Sequence, residues 1–151
     1  MEITITIKLD EQELLHLLGK EEKQEVEIEE EKSVYDQFSK YARFFDDACP
    51  QWDRDPKKNL IFLKCQQEYA NELLKVKGYL FLNEVYGLLG IRQSKEGQTV
   101  GWIYDEKNPI GDNFVSFGLD KEHEIVRDFI MGFGNTVLLD FNVDGNILEY
   151  L

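Results

Sequence analysis

The sequence predicts an α+β fold, with helices first and an antiparallel sheet after them. Two helix patterns with matching start and stop residues occupy the middle of the chain. Alternating apolar stretches bounded by turn formers fill the last third, and no repeated strand-helix-strand order there calls for a parallel sheet. The chain has 151 residues, the size of one ordinary domain, and its Phe, Tyr and aliphatic residues suffice for a hydrophobic core.

The first 32 residues have their own logic. Glu2-Ile3-Thr4-Ile5-Thr6-Ile7-Lys8-Leu9 alternates, as a half-buried strand does. Asp10 caps a helix with Glu13 three residues on, Leu14, Leu15, Leu17 and Leu18 form its apolar face, and Gly19 stops it. Glu25-Val26-Glu27-Ile28-Glu29 alternates again. As a strand it turns Val26 and Ile28 inward and sets Glu25, Glu27 and Glu29 on the other face, about 6.6–6.8 Å apart. Residues 1–32 therefore read as a β-α-β unit ending in an acidic ladder, which Glu30 and Glu31 extend.

A second unit is expected over 33–151. Ser33 opens a helix carrying Val34, Phe38, Tyr41, Ala42 and Phe45 at helical spacing, and Pro50 ends it. Asp55-Pro56 starts the next helix, a cap followed by proline at the first helical position. Leu60, Leu63, Ala70, Leu73 and Leu74 line its inner side and Gly78 closes it. A third helix covers about 82–89, closed by Gly90. Strands are predicted over 99–104 and 114–119, joined by the turn-rich loop from Asp105 to Asn113. Ile125, Val126, Phe129 and Ile130 mark a short helix that stops at Gly132. Residues 136–143 and 146–151 are predicted strands joined across Asp144-Gly145, a hairpin signal, for a sheet of about four strands.

Charge divides the chain along the same line. The net charge is −13. Residues 1–32 hold eleven acidic and four basic residues, so about a fifth of the chain carries more than half of the charge, and a boundary near Lys32-Ser33 follows. Such acidity argues against direct binding to nucleic acid or to anionic membranes, both of which want clustered Lys and Arg. Its plainer meaning is solubility. Its sharper meaning is an acidic face that fits a basic groove, with the ladder imitating a nucleic-acid backbone. The plainer meaning of the ladder is an edge strand charged against aggregation.

No stretch reaches the ~18–20 continuous apolar residues of a membrane helix. The start Met1-Glu2-Ile3-Thr4 is no secretory leader, so a cytoplasmic protein is expected. Cys49 and Cys65 lack metal-ligand spacing and read as reduced structural thiols, Cys65 as a small buried residue on a helix and Cys49 at a helix end. Asp140-Phe141-Asn142-Val143-Asp144-Gly145 matches the first half of a calcium loop, but its twelfth position is Leu151 rather than Glu, and the hairpin is the better reading. His16 and His123 stand among carboxylates. A metal site joining His123 to Asp120 competes with a plain solvated helix start, which is favoured. No serine elbow, phosphate loop or dinucleotide fingerprint is present. The loop from Trp102 to Asn113, rich in Gly, Asn and Asp, is the remaining surface candidate, weighed against a simple connection.

Several stretches resemble an uncharacterised phage and prophage family, a domain of unknown function. They are Tyr41-Ala42-Arg43-Phe44-Phe45-Asp46; Tyr69-Ala70-Asn71-Glu72-Leu73-Leu74-Lys75 running into Tyr79-Leu80-Phe81-Leu82-Asn83-Glu84-Val85-Tyr86; Gly101-Trp102-Ile103-Tyr104 with Asn108-Pro109-Ile110-Gly111-Asp112-Asn113; and Leu138-Leu139-Asp140-Phe141-Asn142-Val143-Asp144-Gly145. The resemblance covers about 33–151. It implies phage or prophage origin and supplies no catalytic residues. Family members often carry an apolar, membrane-associating N-terminal region, where this chain has the acidic unit.

The expected function is therefore a non-enzymatic phage or prophage protein that binds a protein partner with a basic surface, such as a host defence nuclease that it inhibits. The alternative is a virion or assembly component whose acidic unit is a docking tag. A metal-dependent enzyme around His123 or Asp140 is a third class. The residues expected to meet the partner are Glu25, Glu27, Glu29, Glu30 and Glu31, with Trp102, Asp112 and Asn113 from the loop. No catalytic residue, cofactor, metal, direct nucleic acid or membrane is expected.

Overall fold

The computed structural model describes residues 38–151. The predicted β-α-β unit, its acidic ladder and the start of the helix expected from Ser33 lie outside them. Lys40 to Leu151 form one unit. Its order is β1 (Arg43–Phe45), α1 (Pro56–Lys77), β2 (Tyr79–Phe81), α2 (Leu82–Leu89), β3 (Val100–Ile103), α3 (Glu124–Ile130), β4 (Val137–Leu139) and β5 (Gly145–Asn146), with single 3-10 turns at Glu96–Gln98 and Leu148–Tyr150. Two small antiparallel sheets result, one of β1 and β4 and one ordered β2-β3-β5. The fold is α+β.

The 22-residue helix α1 organises the unit. Asp55 caps its start by accepting from the Lys57 amide at 3.0 Å, and Pro56 stands at a position whose N–H a helix leaves unused. Gly78 ends it in the left-handed region, φ 84°, and donates its amide to the Leu74 carbonyl. Asn59, Leu63, Ala70 and Leu74 fall on one buried face. Buried Asn59 is satisfied: its carboxamide accepts from the Asp53 amide and donates to the Asp53 carbonyl, both at 2.8 Å. The chain leaves α1 directly into β2, which pairs Leu80 with Trp102 of β3. Phe141 then joins the core by edge contacts with Tyr86 and Phe117, both at 5.5 Å between centroids. The Tyr86 hydroxyl, deep in this core, donates to the Tyr41 carbonyl at 2.8 Å.

α1, α2 and α3 match their predicted places, and so does the strand within 99–104. Four expectations are corrected. Residues 38–49 hold no helix. Phe44 is exposed and Phe45 buried, the alternation of a strand, and residues 43–45 pair with Val137–Leu139. A partner more than ninety residues away outweighs the local helical spacing of Tyr41, Ala42 and Phe45.

The stretch 114–119 alternates as predicted, with Val115, Phe117 and Leu119 buried, yet it is no sheet strand. Its Val115 and Phe117 amides donate to the Asn71 and Gln67 side chains of α1, at 2.7 and 2.8 Å. Helix carboxamides stand where a neighbouring strand would have stood.

Asp144-Gly145 is not a hairpin turn. β4 pairs with β1 on one side, and β5 pairs with β3 on the other, so the chain passes between sheets there. After β5 the expected strand over 146–151 tightens into the turn Leu148–Tyr150.

Candidate functional site

The loop from Asp105 to Asn113 is built from its own side chains. Asp105 Oδ1 accepts from the Lys107 and Asn108 amides, both at 3.1 Å. Asn113 closes the base: its Oδ1 accepts from the Asp105 amide and its Nδ2 donates to the Asp105 carbonyl. It does so at φ 63°, a left-handed conformation that asparagine tolerates better than most residues.

The loop is moored to the body by the motif first read as half a calcium site. Asn142 Oδ1 accepts from the Trp102 indole at 2.9 Å and from the Ser116 amide at 2.7 Å. Its Nδ2 donates to Asp112 Oδ2 at 3.0 Å and to the Phe114 carbonyl at 2.9 Å. Asp144 Oδ2 accepts from the Ile103 amide at 2.9 Å. Burial pushes the Asp144 carboxyl above its usual range, and the nearby Asp112 carboxylate adds to this, while the Ile103 and Asp112 amides pull it down. Asp140 pairs with Lys121 at 3.3 Å. Oxygens that a cation would need are thus bound to backbone amides, an indole and an ammonium. Among the described residues no three His, Cys, Asp or Glu side chains gather as a metal site requires.

The three loop residues expected to meet a partner therefore have structural roles. Trp102 is fully buried, which corrects its reading as a contact residue. Asp112 and Asn113 are engaged in holding the loop. Glu25, Glu27, Glu29, Glu30 and Glu31 lie outside the described residues. His123 caps α3 through Nδ1, which accepts from the Ile125 amide at 3.2 Å, the helix-start role favoured for it.

An open groove of about 570 Å³ lies along α1. Lys64, Cys65 and Glu68 form one side, Phe114, Ser116 and Asp120 the other, and Ile130 of α3 stands at one end. Beside the groove, 114–119 is fastened to α1 by Gln67 and Asn71 and to the following chain by the Asp140 and Asn142 amides. Among the described residues Glu68 and Asp120 form no ion pair.

Cys65, expected to be buried, is exposed in this groove, while Cys49 is buried in the turn after β1 and burial pushes its thiol up. Titration of the native chain with a thiol reagent is accordingly expected to modify Cys65 fast and Cys49 only on unfolding. Two equally fast thiols would contradict this placement.

A family model described as a family of unknown function, DUF6353, matches residues 7–151. The chain belongs to that family. The DUF6353 match takes in most of the acidic segment as well as the whole Lys40–Leu151 unit. No curated protein and no solved structure matches the chain.

Sequence reasoning missed the groove of this DUF6353 member and the roles of Gln67, Asn71 and Asn142. A signal for the first two was present. Carboxamides at 59, 67 and 71 fall on the same helical face as Leu63, Ala70 and Leu74, and a polar amide on an apolar face asks for a backbone partner.

Proposed function

We propose that the protein is a non-enzymatic binding protein whose partner presents a basic surface. The observation that carries this reading is the charge: a net −13, with eleven acidic residues among the first 32 and five of them at Glu25, Glu27, Glu29, Glu30 and Glu31. Carboxylates set in a row repel one another, and an oppositely charged partner relieves that cost and speeds the encounter. The groove along α1 is open and not enclosed as the pocket of a small substrate would be.

In its finer form, the protein is a phage-borne inhibitor that competes with nucleic acid for the basic groove of a host defence protein. Support for that form is the acidity together with the sequence resemblance over 33–151.

Affinity capture from a lysate of the host cell tests the reading. Screening length falls from about 10 Å at 0.1 M salt to about 3 Å at 1 M, so a partner held by charge is expected to be retained at the first and released at the second. Reversal of all five residues, as E25K, E27K, E29K, E30K and E31K in one chain, is expected to abolish capture at low salt. Capture that survives both the salt and the reversal would sink the proposal.

A further inference from the structure

The Lys40–Leu151 unit carries a second surface with the make-up of a binding site. Phe114 at the groove is 50% exposed and Ile130 is 41% exposed. From Ile130 the chain runs straight into Met131 and Phe133, 68% and 79% exposed. These residues are held in place: the Met131 amide donates to the Arg127 carbonyl at 2.9 Å, and the Phe133 amide to the Asp128 carbonyl at 2.8 Å. Single exposed apolar side chains are ordinary. A groove edged by Phe114 and Ile130, with exposed Met131 and Phe133 next along the chain, has the residue types enriched at the centre of a protein interface.

Two of the three charged side chains that line the groove are carboxylates, the third being Lys64. Glu68 and Asp120 line the groove, and Glu122, Glu124 and Asp128 follow along the chain, all exposed. Lys64 and Arg127 are the exposed cations among them, since Lys121 is engaged by Asp140. An apolar groove that carries Glu68 on one side and Asp120 on the other fits an apolar side chain that arrives between cations.

We propose that this groove docks a segment of another protein in which one bulky apolar residue is flanked by lysines or arginines. The proposal rests on the reading of the chain as a binding protein, but not on Glu25 to Glu31. The volume suits one or two side chains rather than a long helix. A second copy of the chain is the poorer occupant, because it would bring its own Glu68 and Asp120 against this pair.

Short fluorescent peptides with one Phe between two Arg, two Ser or two Glu, titrated into the full chain, decide the matter. Anisotropy gives affinity and amide NMR shifts give location. The Arg-flanked peptide is expected to bind at 64–68, 114–120 and 130–133, about tenfold or more tighter than the Ser-flanked one, with the Glu-flanked peptide weakest. The double variant Glu68→Lys with Asp120→Lys is expected to prefer the Glu-flanked peptide, a gain that only a folded protein can show. Phe114→Ser is expected to weaken every peptide.

Equal affinity for all three, no saturable binding, or shifts confined to other residues would overturn the proposal. So would self-association that Phe114→Ser removes, which would make a second copy the occupant. The same titration on the chain reversed at Glu25, Glu27, Glu29, Glu30 and Glu31 keeps the two readings apart. Unchanged peptide binding assigns the peptide to the groove whatever becomes of the acidic run, and lost binding assigns it to the acidic run and ends this proposal.

Discussion

Asn142→Ala is expected to lower the unfolding free energy by about 3–4 kcal/mol, because it removes four hydrogen bonds and strands a buried donor. The carboxamide joins four places at once: the Trp102 indole, the Ser116 amide, the Phe114 carbonyl and the Asp112 carboxylate. Trp102 is fully buried, so its N–H has no water to turn to once Asn142 is gone. The loss should appear in urea unfolding as a lower midpoint with an unchanged slope. A change below about 1 kcal/mol, the worth of one ordinary hydrogen bond, would mean that the four contacts are not what holds this region.

Gly101→Ala is expected to cost about 3 kcal/mol or more, at the upper end for a side chain forced into a filled space. A Cβ there would fall 2.0 Å from the Leu80 carbonyl oxygen and 2.8 Å from the Phe81 Cα. Both are backbone atoms of β2, and Gly101 is also paired with Gly145 on its other side. No flexible side chain can move away, so the three-stranded sheet must open or shift, and Trp102 with it. Gly134→Ala serves as the control: no atom lies within 4 Å of its Cβ, and a change of about 0.5 kcal/mol or less is expected. Thermal unfolding of the two variants side by side checks both statements, and equal melting temperatures would refute the steric argument.

The legible parts of this fold are those whose causes are local. Asp55, Pro56 and Gly78 mark α1 because a cap, a first-turn proline and a left-handed stop act within a few residues of where they stand. The end of α2 at Gly90 has the same kind of cause. The illegible parts are those decided at a distance. Phe45 is a strand residue because Val137 pairs with it, and nothing near Phe45 announces that. The turn formers Asp144-Gly145 looked like a hairpin, since a carboxylate reaching for the Ile103 amide gives no local sign. The candidate site shows the same division. Trp102, Asp112 and Asn113 were picked for residue type, and residue type did not announce that Asn142 holds the buried Trp102 indole in a hydrogen bond or that Asn142 and Asp105 engage the other two in holding the loop. The groove was invisible because the two segments that line it, α1 and 114–120, meet only in the fold, where Gln67 and Asn71 fasten them together.

The pairing of β1 with β4 also sets an order in time. Arg43 and Leu139 face each other across 96 residues of chain, and Phe45 and Val137 across 92. At about 5–20 residues per second, a ribosome needs roughly 5–20 s to cover that distance. Throughout that interval Phe45 has no strand to lie against, while α1 is complete with its caps as soon as Gly78 has been added. The nascent chain therefore carries a ready helix beside an unsatisfied strand edge, and for those seconds the edge is open to whatever chaperone or neighbouring chain meets it first.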